Sequence, residues 1–97
     1  MAKRGIVYIA TNQNNTVLYT GVTSDLRGRM QKHIEKRYRR SFTARYNVDK
    51  LVYFEVKDNM MLAKQRERQI KAGSRQKKLK LIEDFNPAWN DLKSEIE

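Results

Sequence analysis

Ninety-seven residues with 39% apolar content suffice for one domain and one compact site, near the lower size at which a chain folds unaided. The chain has no cysteine, which excludes disulfides and thiolate metal ligands. Its 21 lysines and arginines against 11 acids give a formal charge of +10, which opposes compactness by self-repulsion and points to a phosphate polymer as partner.

Gly5-Ile6-Val7-Tyr8-Ile9-Ala10 is short, β-branched and aromatic and predicts a first strand. A turn cluster, Thr11 to Asn15, leads to a second strand from Thr16 to Val22, giving a hairpin with a loop of about five residues. Whether Tyr8 and Tyr19 meet across it depends on register, which the pattern leaves open. Thr23-Ser24-Asp25 reads as a helix start, a hydroxyl cap followed by an acid in the first turn. That helix should run to about Arg37, burying Leu26, Met30 and Ile34, with Arg29 and His33 stacked on a face bordering the core. Gly28 costs it about 1 kcal/mol relative to alanine and suggests a close approach by an unidentified group.

Tyr38 to Asn47 mixes arginines and aromatics without a period and reads as an irregular basic loop. Lys50 to Val56 is nearly continuously apolar, as suits a third strand buried on both faces. Asp58-Asn59 then caps a helix from Met60 to Ala72, ended by Gly73. Ser74 starts another, to about Asp84, packing through Leu79 and Ile82. Asn86-Pro87 resembles a cap with proline at the first helical position, followed by a closing stripe of Trp89, Leu92 and Ile96. The order is β-β-α-β-α-α, an α/β (α+β) unit with a small sheet, and a single domain over residues 1–97 is expected.

The positive charge concentrates in Arg27–Arg45 and Lys64–Lys80. Neither cluster lies beside a strongly apolar exposed helix face, so an acidic membrane surface fits less well than nucleic acid. No long apolar run or signal-peptide pattern is visible, and a cytoplasmic chain without an obligate protein partner is expected.

Ile6-Val7-Tyr8, Leu18-Tyr19-Thr20-Gly21, Arg29, His33 and Glu67, in this order and spacing, resemble the GIY-YIG nuclease superfamily. The likeness is to its small stand-alone bacterial members and, more distantly, to the N-terminal nuclease domain of the excision-repair incision subunit and to certain homing endonucleases. It covers Gly5 to about Leu92. It implies a small three-stranded antiparallel sheet flanked by helices, and phosphodiester hydrolysis with one divalent metal, Mg²⁺ or Mn²⁺. Tyr8 and Tyr19 match the two motif tyrosines, Gly21 the motif glycine, Arg29 the arginine eight positions later and His33 the position one turn on. Glu67 matches the metal-binding glutamate and Asn86 the late asparagine. The first motif departs from the pattern with Gly5 displaced, and the second carries Thr20 for isoleucine; neither change removes a reactive group.

The chemistry accommodates these residue types. A planar, permanently charged guanidinium at Arg29 suits the negative charge that develops on phosphoryl oxygens, although Arg29 is also one of many bases on a helix face. Glu67 shares a stripe with Met60, Ala63 and Ile70, where a lone carboxylate needs a cation: a metal, or Arg66, Arg68 or Lys71. One glutamate is enough for Mg²⁺, which keeps several waters. Tyr8 is the base that the resemblance implies, but an ordinary phenol is protonated at neutral pH, and His33 either activates it or takes the proton itself. Tyr19 positions water or phosphate, and Asn86 has capping as its alternative. Arg27, Arg37, Arg39, Arg40, Arg45, Lys71 and Arg75 are the candidate phosphate-binding residues, and the loop containing Phe42 and Tyr46 is a candidate for stacking unpaired bases. The expected activity is metal-dependent DNA endonuclease, in repair or processing. A DNA- or RNA-binding module that keeps the fold but cuts weakly is the alternative.

Overall fold

A computed structural model describes residues 4–35 and 41–96. Strand β1 (Gly5–Thr11) and strand β2 (Leu18–Thr23) form the hairpin, and helix α1 (Leu26–Glu35) follows. A single helical turn, α2 (Phe42–Arg45), precedes strand β3 (Lys50–Lys57). Helices α3 (Met60–Ala72) and α4 (Arg75–Phe85) and a closing 3₁₀ turn (Leu92–Ile96) complete the described chain. The sheet is antiparallel with order β2-β1-β3. No helix among the described residues is long and apolar enough to cross a membrane.

The first strand is the central one, and its alternation divides the core. Val7 and Ile9 pack with Tyr53, Ala63, Ile70 and Ile82 beneath α3 and α4. Tyr8 and Ala10 face the other way, onto Leu26, Met30, Val48, Leu51 and Leu92. Burial on both faces was expected of the third strand, and here the structure differs. As an edge strand, β3 is buried only from Leu51 to Tyr53, and Val56 is 50% exposed. Its apolar run reflects a β-bulge: Ile9 pairs with Tyr53 and Ala10 with Leu51, so Val52 is inserted between them.

Several local expectations change for identifiable reasons. In α1 the buried stripe is Leu26, Met30 and His33, while Ile34 is 41% exposed. Eight residues at 100° each carry Ile34 about 80° from Leu26, whereas seven bring His33 nearly into line with it. The cap of α1 is Asp25 itself. Its carboxylate accepts the Gly28 N–H at 3.0 Å, and its own N–H donates to Thr23 Oγ1 at 3.0 Å. That carboxylate is the group that approaches Gly28, since it occupies the space a Cβ there would need. Arg37, the expected end of α1, and Tyr38 lie outside the described residues. Part of the expected irregular loop is instead α2, because Ser41 Oγ accepts the Ala44 N–H as an N-cap.

Asn86 begins no helix. It is the C-cap of α4, and its side chain folds the following turn around itself: Oδ1 accepts the Asn90 N–H at 3.0 Å and Nδ2 donates to the Asn90 carbonyl at 2.8 Å. The same amide donates to the carbonyl of the bulged Val52 at 3.2 Å. Asn86 therefore satisfies a strand carbonyl at the bulge and ties β3 to the chain after α4. Replacing Asn86 with alanine is expected to cost about 1–3 kcal/mol, the penalty for orphaning buried polar groups. Urea unfolding would measure this as a lower midpoint with an unchanged slope.

Candidate active site

The hairpin register brings the two phenols together. Tyr8 lies opposite Gly21 and Ala10 opposite Tyr19, which puts Tyr8, Tyr19 and Gly21 on one face. Asn12 holds that register from the loop, accepting the N–H groups of Thr16 and Val17 at 2.8 and 3.0 Å. A Cβ on Gly21 would stand 2.6 Å from both Cζ and the hydroxyl oxygen of Tyr8, so the missing side chain is the space the phenol occupies. From α1, His33 closes the group. Its Nε2 lies 2.9 Å from the Tyr8 hydroxyl oxygen. Ring centroids are 6.1 Å apart for Tyr8–Tyr19, 5.9 Å for Tyr8–His33 and 5.6 Å for Tyr19–His33.

Tyr8 is 0% exposed. Burial raises its phenol far above the ordinary value and Tyr19 adds to that, while the Arg29 charge pulls it down. Burial, and then Arg29, hold the His33 imidazole below its usual 6.5. Both groups are accordingly neutral at neutral pH. With the imidazole protonated on Nδ1, the phenol donates to Nε2.

Outside this triangle Tyr19 continues an aromatic row. It stacks on Phe42 with centroids 6.3 Å apart, Phe42 meets Tyr46 at 4.8 Å, and the Arg45 guanidinium lies 5.6 Å from the Tyr46 ring centre. A groove of about 250 Å³ runs along the free edge of β2, lined by Leu18, Tyr19, Thr20, Phe42, Lys71 and Lys78. Tyr19 and Thr20 point to opposite faces of the strand, so the groove joins the α1 side of the sheet to the α3 side. Glu67, on α3, is tied to this groove through Lys71, which lines it. Its carboxylate, 17% exposed, pairs with Lys71 Nζ at 3.5 Å.

The remaining candidates divide. Arg27 lies on a separate surface with Ile6, Phe54 and Val56. Arg75 donates to the Thr16 carbonyl at 3.0 Å and braces the hairpin loop. The partners of Asn86 are Val52 and Asn90, not the aromatic group. Arg37, Arg39 and Arg40 lie outside the described residues. Lys78 was not singled out from sequence; only the tertiary structure, which puts it beside Leu18, Tyr19 and Thr20, reveals its place in the groove.

Two phenols and a histidine packed on one face of a three-stranded antiparallel sheet, an arginine acting on them, and a glutamate on α3 paired with a groove lysine define a protein of the GIY-YIG type. The chain belongs to this family: the GIY-YIG catalytic domain matches residues 4–80. It is similar to the UPF0213 protein of Syntrophus aciditrophicus (strain SB), with 38% identity over 84 residues, covering 87% of this chain and 94% of that protein. No solved structure matches it. The domain is a nuclease domain, its substrate class is nucleic acid, and its members generally depend on a divalent metal.

Two measurements test the geometry. Gly21→Ala must displace the enclosed Tyr8 ring, an overpacking expected to cost about 1–3 kcal/mol in urea unfolding. The depressed His33 pKa means that the unfolded chain binds a proton at a higher pH than the folded one. Stability should therefore be fully present above about 6.5 and fall as pH drops through the folded value. His33→Gln should lose less stability than wild type between neutral and acidic pH, measured as urea midpoints.

Proposed function

We propose that this chain is a single nuclease domain spanning residues 1–97, an endonuclease that hydrolyses DNA phosphodiester bonds with one Mg²⁺ or Mn²⁺ ion. The observation that carries the reading is the Tyr8–His33 hydrogen bond, held neutral on both sides and under the influence of Arg29. DNA repair or processing is the setting that its likeness to the excision-repair nuclease domain suggests, with single-stranded or branched DNA among the substrates to test.

Glu67 fits a metal that takes few protein ligands. Among the described residues no group of three or more His, Asp or Glu could hold an ion. One largely enclosed carboxylate with a 3.5 Å lysine contact suits Mg²⁺, which needs one or two carboxylates and keeps several waters. When bound there, the ion would supply positive charge against the phosphoryl oxygens. Lys71 would then turn from Glu67 to the phosphate in the groove that it already lines.

The chain's own groups do the rest. Arg29 clamps the charge that builds on the phosphoryl oxygens as water attacks phosphorus and the P–O bond to the leaving group breaks. The water's proton passes to the Tyr8 oxygen as the phenol's own proton passes to His33 Nε2. This route avoids a free phenolate, which burial makes costly at Tyr8. Tyr19 fronts the groove and positions water or phosphate beside Tyr8.

The test is nicking of labelled single-stranded, duplex and branched DNA with Mg²⁺, Mn²⁺ or chelator. Cleavage should require the metal, and Arg29→Ala and Glu67→Ala should each lower it about 10²–10³-fold, the scale of losing one transition-state contact. Binding without metal-dependent cleavage on any substrate would establish instead the weakly cutting DNA- or RNA-binding module. The enclosure of Tyr8 is the feature that favours that second reading.

A further inference from the structure

Helices α3 and α4 form a second groove, on the α3 side of the sheet and distinct from the aromatic triangle. It measures about 290 Å³, with Ile70 and Leu81 among its lining and Arg66, Lys77, Lys78 and Lys80 around it. Asp84 is the one carboxylate in that lining, paired with Lys80 at 3.5 Å in an exposed contact that contributes little. Arg66 is committed elsewhere, with its Nε on both Glu55 oxygens at 3.0 and 3.2 Å. Lys77 and Lys78 have no carboxylate partner among the described residues. The decisive feature is Lys78, which lines this groove and the β2-edge groove of Tyr19 and Lys71 alike. The two depressions therefore adjoin at Lys78, with Lys71 lining one and Lys77 and Lys80 lining the other.

We infer that the α3–α4 groove is a second contact for the nucleic-acid backbone, in which Lys77, Lys78 and Lys80 hold phosphates flanking the one bound at Tyr19. This rests on the nuclease reading for the identity of the first groove, but the contact itself requires only a polyanion. Lys77 and Lys80 stand three residues apart on one helix face, which brings their side chains about 5–6 Å apart at Cβ, so flexible stems can serve neighbouring phosphates of one strand. An acidic peptide would find the same cations but none of the regular spacing. The groove also accounts for the density of lysine in α4, whose mutual repulsion no acid in its first turn relieves.

The experiment measures binding apart from cleavage. Wild type, Lys77→Ala/Lys80→Ala and the control Lys64→Ala/Arg68→Ala are titrated with a labelled DNA oligonucleotide in chelator, over a series of salt concentrations. Lys64 and Arg68 lie together on another surface of α3, and the control removes the same two charges. The groove variant should lower the slope of log K against log salt by about 1.4–1.8, at about 0.7–0.9 per lost phosphate contact, and the control should stay close to wild type. Urea midpoints verify that both variants are folded, and Lys77→Gln/Lys80→Gln replaces the groove variant if alanine perturbs α4. An unchanged slope in the groove variant, or an equal loss in the control, overturns the contact. If wild type binds with the expected slope difference yet never cuts in Mg²⁺, the contact stands and the nuclease reading falls.

Discussion

A fully buried phenol on the central strand is the constraint around which this structure is arranged. Removing a hydroxyl from water without a partner costs several kcal/mol at worst, and His33 meets the Tyr8 hydroxyl in the core. Meeting it requires α1 to lie across the Tyr8 face of the sheet with His33, seven positions after Leu26, turned inward at the place a hydrocarbon would ordinarily take. It also requires the opposing strand to be bare at Gly21. Strand register, helix docking and the side chains of three elements are thus coupled at one hydrogen bond, and the group they form contains Tyr8, Tyr19 and His33 of the candidate site.

A second polar network performs the corresponding task on the other side of the sheet. Glu55 accepts from Arg66 of α3 and pairs with Lys57 at 3.0 Å, and the Tyr53 hydroxyl donates to it. Burial alone would raise the Glu55 carboxyl, but the hydrogen bonds from Tyr53, Lys57 and Arg66 outweigh it and hold the group below the usual carboxylate range. Tyr53 is pushed up to about 12, chiefly by burial and then by its bond to that carboxylate. Tyr53, Lys57 and Arg66 all converge on the one carboxylate, which makes the cluster a brace between β3 and α3. The contrast is informative: a satisfied network stiffens the fold, whereas Glu67 is held by one long lysine contact.

Much of this was legible in the chain, for local reasons. Asn59 and Ser74 accept the N–H groups of Leu62 and Lys77, as short polar residues before an apolar period should, and α3 has the bounds its pattern sets out. Glu67 stands conspicuously in a stripe whose neighbours Ala63 and Ile70 are buried. What local pattern could not reach were relations between elements. The phenols meet because of a register fixed by the side chain of Asn12. The apolar run of β3 imitates a central strand because a bulge adds Val52, and nothing in the run itself reveals the bulge or the asparagine far downstream that satisfies it. The aromatic row from Tyr19 depends on a one-turn helix that only its Ser41 cap announces.

The position of the site at a sheet edge follows from the same physics. Within a three-stranded sheet the central strand is enclosed on both faces, so side chains from the α1 layer and the α3 layer can approach one another only around an outer strand. Around β2 they do, with Tyr19 and Phe42 arriving from one side and Lys71 and Lys78 from the other. An exposed strand edge is also a template for pairing with another chain, and lysines set along it are a common defence. Here the ammonium groups that discourage a second sheet are those that would draw a phosphate backbone to the groove. One placement of charge would thus serve both against edge-to-edge pairing and toward a polyanion.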